Sequence, residues 1–225
     1  MQKKFNLFER IFLICGAVLN IATFIITRST TLSLIQSMLS IFNAVYTAKG
    51  SFIGYICLLV EGSIYSYISF MHKYYSEVII TMGINIPMAL WGLITWLRHQ
   101  DKKTEAVEVT SLSNKEIVLA ILSQVLCSFF YYWLLRQFNT DMLMVSTISM
   151  CVNVLAMYFS AKRSVLVFWS YMVNCLIRIS LWTIPALNGD FSNFPIVISC
   201  AMYFICDIYG IITWNRLEKK QNARD

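Results

Sequence analysis

Three formal charges fall inside long apolar stretches of this 225-residue chain: Glu61, Arg178 and Asp207. Placing a charge within a bilayer costs about 3 kcal/mol on insertion scales, so such residues face a cavity or a partner. Tyr171, Asn174 and Arg178 stand at i, i+3 and i+7, on one face of a helix, with Phe168 and Trp169 one turn earlier. An aromatic ring, an amide and a charge on one face suit a flat heterocycle with polar substituents. The same residues also serve as interhelical glue, and both readings stand. Gln36, Ser40 and Asn43 form a second polar stripe, Ser146, Ser149 and Asn153 a third, and Asn85 lies two residues before Pro87. A proline inside a helix frees a carbonyl about one turn upstream and kinks the chain. Each charge also has a plainer reading: Glu61 as a protonated acid shared between helices, Arg178 snorkelling outward, Asp207 reaching the interface.

Other chemistry finds no support. His72 and His99 lie in polar gaps, and there is no HExxH, no Ser/His/Asp grouping and no glycine-rich phosphate loop. The seven cysteines all sit in apolar segments without CxxC spacing, so no disulfide frame or metal site is indicated. Neither an enzyme nor a cofactor is expected. The net charge of +6 comes from residues in short gaps, where membrane topology accounts for it better than nucleic acid does.

The elements that must carry these side chains are membrane-spanning helices. The chain is 58% hydrophobic and 13% charged, against about 25% charged in soluble domains. Apolar runs at 11–27, 32–47, 52–71, 77–97, 116–134, 141–160, 164–184 and 194–214 predict eight spans. Fourteen Lys and Arg, from Lys3 to Arg224, lie in gaps on one side, and only Arg28, Lys73 and Arg136 on the other. This bias places both termini in the cytoplasm. The N-terminus lacks a cleavage site, so its apolar run is read as a retained helix. Trp96 and Trp214 then fall at the cytoplasmic interface, where aromatic belts are expected.

The chain also repeats itself. WGLITWLR at 91–98 is answered by YGIITWNR at 209–216, an offset of 118. Asn85, Ala89, Gly92 and Trp96 thereby map onto Tyr203, Asp207, Gly210 and Trp214, one stripe of a helix. TAKG at 47–50 is answered by SAKR at 160–163, and Asn43 pairs with Asn153 at an offset of 110. Spans 2–4 and 6–8 are thus read as a parallel repeat. The fold expected is an all-α polytopic membrane protein of eight helices arranged 1+3+1+3. Its parts are residues 1–31 (N-terminus and extra helix), 32–97 (first bundle), 98–140 (cytoplasmic linker and connecting helix), 141–214 (second bundle) and 215–225 (tail). Repeat-built transporters hold substrate near the midplane between repeats.

NAVYTAKG (43–50) followed by KYYSEVIITMGINIPMALWGLITW (73–96), and DIYGIITWNRLEKKQ at 207–221, resemble PnuC-type vitamin transporters. The similarity runs from about residue 15 to 220, and Pro-Met-x-x-x-Gly-x-x-x-Trp is its most specific part. The resemblance implies the 1+3+1+3 plan distantly similar to SWEET sugar transporters, a homotrimer in the cell's inner membrane, and uptake of nicotinamide riboside. In the family, uptake is facilitated diffusion with trapping by a cytoplasmic kinase. Asn174 matches the family's asparagine after a tryptophan pair, which Phe168, Trp169 and Tyr171 approximate. Ala89 stands where the family often has Gln. Both departures touch ligand contacts and leave thiamine or a deoxynucleoside as alternative cargo. A non-transporting receptor is the alternative of another class. The expected binding residues are Asn174, Tyr171, Trp169, Phe168, Glu61, Asn43, Gln36, Asn85, Arg178 and Asp207.

Overall fold

The structure, a computed structural model, describes residues 5–28, 30–71, 73, 75–101, 106–138, 142–187 and 194–223. Apart from an isolated bridge between Gln100 and Val107, its regular structure is helical: α1 (Leu7–Thr27), α2 (Thr31–Ala48), α3 (Ile53–Met71), α4 (Tyr75–Ile80), α5 (Ile86–Arg98), α6 (Asn114–Gln137), α7 (Leu143–Ala161), α8 (Leu166–Leu187) and α9 (Phe194–Asn222). A π-helical turn, Thr81–Asn85, joins α4 to α5 into one rod. Each expected span coincides with a helix to within a few residues, except that α9 runs on to Asn222.

Six stretches are long and apolar enough to cross a membrane: Leu7–Ile26, Ile53–Met71, Glu77–Arg98, Asn114–Gln137, Leu143–Ala161 and Val197–Asn222. Within α8 a shorter apolar stretch, Leu166–Ser180, follows the same pattern. The helix α2 is not among the six, because Gln36, Asn43 and several hydroxyl residues interrupt its 18 residues. Outward apolar surface is extensive: on α6, Leu119 is 69% exposed, and Leu126 and Phe129 are each 73% exposed. Surface of that kind is stable in hydrocarbon and unstable in water. The chain is a multi-pass membrane protein.

Two compact units, Met1–Glu108 and Val109–Asp225, divide the chain. In the first, α1 begins with a capping box in which Asn6 and Glu9 exchange side-chain and backbone hydrogen bonds at 2.8 Å. Glu9 also pairs at 3.1 Å with Lys49, the residue that ends α2, and the side chains are only 4% and 16% exposed. In the second unit α6 begins with the same device, Ser113 and Glu116, and Lys162, which ends α7, lies within electrostatic reach of Glu116.

The expected kink at Pro87 takes a different form. The Ile86 N–H donates to the Thr81 carbonyl five residues back, so the helix widens into the π turn before the proline. Widening relieves the clash of the pyrrolidine ring with the preceding turn.

Candidate functional site

The register of each unit is set at one turn. After α2, Gly50 adopts φ +69°, Ser51 N–H donates to the Tyr46 carbonyl and Gly50 N–H to Thr47, both at 2.9 Å. After α7, Arg163 adopts φ +61°, Ser164 N–H donates to Phe159 and Arg163 N–H to Ser160, again at 2.9 Å. These are two Schellman caps built alike, one around glycine and one around arginine. Each also accepts a backbone hydrogen bond: Gly50 O from Val107 N–H at 2.8 Å, and Arg163 O from Thr110 N–H at 3.0 Å.

The offset of 113 that carries Gly50 onto Arg163 carries three further residues onto counterparts. Gln36 falls on Ser149, Tyr55 on Phe168, and Glu61 on Asn174. It also sets Ser40, rather than Asn43, opposite Asn153, which corrects the sequence pairing at offset 110. Asn43 bonds within its own helix, accepting from Thr47 Oγ1 at 3.1 Å. Asn153 likewise points its amide nitrogen at Met157 Sδ, 4.0 Å away.

A polar pair sits at the middle of both units. In the second, Ser149 Oγ on α7 donates to Asn174 Oδ1 on α8 at 2.7 Å, and Asn174 is 7% exposed. That bond uses the amide's acceptor and leaves its Nδ2 donor for a ligand. In the first unit the side chains of Gln36 and Ser40 on α2 lie close enough to the Glu61 carboxyl on α3 to act on it electrostatically. One carboxylate oxygen, Oε2, is shut from solvent without a partner. Positions 113 apart therefore hold an acid in the first unit and a neutral amide in the second.

On the last helix of each unit, α5 and α9, the repeated phrase proves to be a packing device. The Tyr55 ring meets Trp96 edge-on, centroids 5.0 Å apart at 88°, and the Phe168 ring meets Trp214 at 5.2 Å and 83°. A Cβ on Gly92 would overlap the Tyr55 ring, and one on Gly210 the Phe168 ring. The glycine opens a socket, the aromatic fills it, and the tryptophan one helical turn later closes it. Two expectations are corrected here. Trp96 and Trp214, 1% and 0% exposed, are core residues and not members of an interfacial belt. Phe168, 2% exposed, has its ring committed to this socket and cannot stack on a substrate.

The remaining candidates divide. Tyr171 is half-buried, whereas Trp169 is 53% exposed. Arg178 is exposed and has no ion-pair partner among the described residues, as an outward-snorkelling side chain would be. Asn85 lies in the π turn with Oδ1 shut from solvent and unbonded. Asp207 on α9 is 8% exposed, and its Oδ2 has no partner. A groove of about 580 Å³ opens between α6 and α7, but none of these residues lines it. Three of its polar side chains, Ser128, Thr147 and Cys151, bond to backbone carbonyls at 2.6, 2.8 and 3.7 Å, which leaves the groove hydrocarbon-like.

Sequence reasoning missed Tyr55 and the Glu9–Lys49 pair. The signals were present: Tyr55 precedes Phe168 by the TAKG/SAKR offset, and NLFE and SNKE are both capping-box tetrads. Among the described residues no group of His, Cys, Asp and Glu is arranged to hold a metal ion.

This arrangement has relatives. The fold is similar to the crystal structure of the vitamin B3 transporter PnuC, with a TM-score of 0.77, 21% identity, and 96% and 94% of the two chains covered. In sequence the chain is 21% identical over 221 residues to the nicotinamide riboside transporter PnuC of Neisseria mucosa, covering 96% of this chain and 84% of that protein. Residues 30–216, most of the chain, match the family described as nicotinamide mononucleotide transporter. With mid-span polar pairs in a multi-pass helical protein and that match over most of its length, the chain belongs to the nicotinamide mononucleotide transporter family.

Proposed function

We propose that this transporter takes up nicotinamide riboside by facilitated diffusion, with net uptake maintained by a cytoplasmic kinase that traps the product. The carrying observation is the pair of equivalent mid-span positions, Glu61 with Gln36 and Ser40, and Asn174 with Ser149. Nicotinamide riboside is a cation with a polar sugar. Ionised Glu61 supplies the complementary charge at a depth where it is poorly screened. Asn174 supplies an amide donor to the ribose, and Tyr171 and Trp169 are the aromatic faces left for the ring.

The finer architecture belongs to the same reading: eight spans as two parallel 1+3 repeats, SWEET-like, in the inner membrane with both termini cytoplasmic. The matching capping boxes of α1 and α6 support extending the repeat to the leading helix of each unit. A homotrimer is the expected assembly.

The test is uptake of labelled nicotinamide riboside into liposomes holding the purified protein, with unlabelled nicotinamide riboside, thiamine and deoxynucleosides as competitors. Suppression by nicotinamide riboside alone supports the assignment. Stronger suppression by thiamine or a deoxynucleoside keeps the carrier and changes its cargo. Saturable binding without uptake would make the protein a receptor.

A further inference from the structure

Asp207 breaks the symmetry of the repeat, since its counterpart at offset 118 is Ala89. It lies on α9, one turn before the Gly210 socket, and acts electrostatically on Cys175, the α8 neighbour of Asn174. Asn174 and Asp207 are both buried, on the packed helices α8 and α9, at 7% and 8% exposed. Asn174 is held by Ser149. Among the described residues nothing holds Asp207 on the side of Oδ2, a buried oxygen with no donor.

A buried acceptor without a donor is a standing penalty to the fold, and native proteins rarely carry one without use. A carboxylate presents two acceptors side by side, the complement of two adjacent hydroxyl donors. The Asn174 Nδ2 amide, on the neighbouring helix α8, offers the donor that such a diol still needs for its own oxygens. Dinucleotide-binding folds use a carboxylate on ribose hydroxyls in the same way.

We propose that Asp207 is a specificity-determining residue that accepts both hydroxyls of a ribose cis-diol, so that the carrier selects ribosides over 2′-deoxyribosides. The inference deepens the nicotinamide riboside reading and rests on it. A site built to hydrogen-bond a hydroxyl rejects the analogue lacking it, because the buried group is left unpaired.

The experiment measures affinity of the purified full chain for nicotinamide riboside and its 2′-deoxy analogue, in wild type, Asp207→Asn and Asp207→Ala, with thermal unfolding midpoints of the same samples. Wild type is expected to prefer the riboside at least tenfold. Both variants should bind the two compounds about equally and unfold at a higher temperature, because the orphan acid is gone. Retention of the preference in the variants, or equal affinities in wild type, overturns the proposal. A fall in unfolding midpoint for both variants also overturns it, by making Asp207 a structural residue. If wild type binds neither compound, the nicotinamide riboside reading fails separately. Uridine against 2′-deoxyuridine then decides the diol assignment: a wild-type preference for uridine that the variants lose upholds it, and equal affinity or no binding overturns it.

Discussion

At the scale of single residues, the proposed function rests on positions where the two units differ. Glu61 and Asn174 are related by the offset of 113, yet one carries charge and the other does not. Glu61→Gln keeps the contacts with Gln36 and Ser40 while removing the charge, so it should weaken nicotinamide riboside uptake roughly tenfold or more. Uptake of a neutral nucleoside under the same conditions should change little, and parallel losses for both substrates would contradict the charge argument. Ser149→Ala leaves the buried Asn174 Oδ1 without its donor and lets the amide turn, so it should raise the half-saturation concentration and also lower the unfolding temperature. Glu61, Asn174 and Asp207 were legible in the sequence because polar side chains inside apolar runs are rare. Which of them had partners was not, because a neighbour on another helix is far off in sequence, 25 residues in the case of Ser149 and Asn174. Phe168 misled for a related reason: an aromatic one turn before the Tyr171–Asn174 face reads as a stacking platform until the glycine on the neighbouring helix is placed against it.

Between helices, the fold is held by devices used once in each unit. The glycine sockets are the clearest. Gly92→Ala and Gly210→Ala should each destabilise by about 1–3 kcal/mol through overpacking. Pairing Gly210→Ala with Phe168→Leu should recover part of that loss, and thermal unfolding of the four proteins closes the cycle. The Glu9–Lys49 pair is the second device. Glu9→Gln preserves the capping box, since glutamine also serves at that position, but it strands a half-buried ammonium. The expected loss is on the order of 3 kcal/mol; an unchanged midpoint would show that the pair holds nothing. The helices themselves were readable from apolar length, and the two matching sockets from a shared octapeptide. The π turn at Thr81–Asn85 was not readable, because Pro87 predicts some distortion and does not choose between a kink and a widened turn. The weakest span in sequence, α2, is also the one that falls short of the hydropathy of a membrane helix. The polar residues that weaken it, Gln36 and Ser40, are those that act on Glu61.

For the whole molecule, membership of a transporter family and a fold shared with a vitamin B3 transporter set the class of activity. On the proposed facilitated-diffusion reading, a carrier that only equilibrates its cargo cannot concentrate it, so accumulation would come from chemistry on the inner side. Membrane residence was the part of the account most plainly written in the sequence, because composition alone decides it. The cargo was the least legible, because it depends on a few contacts among helices that pack alike whatever they carry. The measurement that tests the central claim most directly follows labelled nicotinamide riboside into protein-containing liposomes with and without an enclosed riboside kinase and ATP. Without the kinase, the label should rise to the outside concentration and stop, whatever proton or sodium gradient is imposed. With the kinase, it should climb well beyond that level. Accumulation above the outside concentration in empty vesicles under a gradient, or no entry in either, would contradict it.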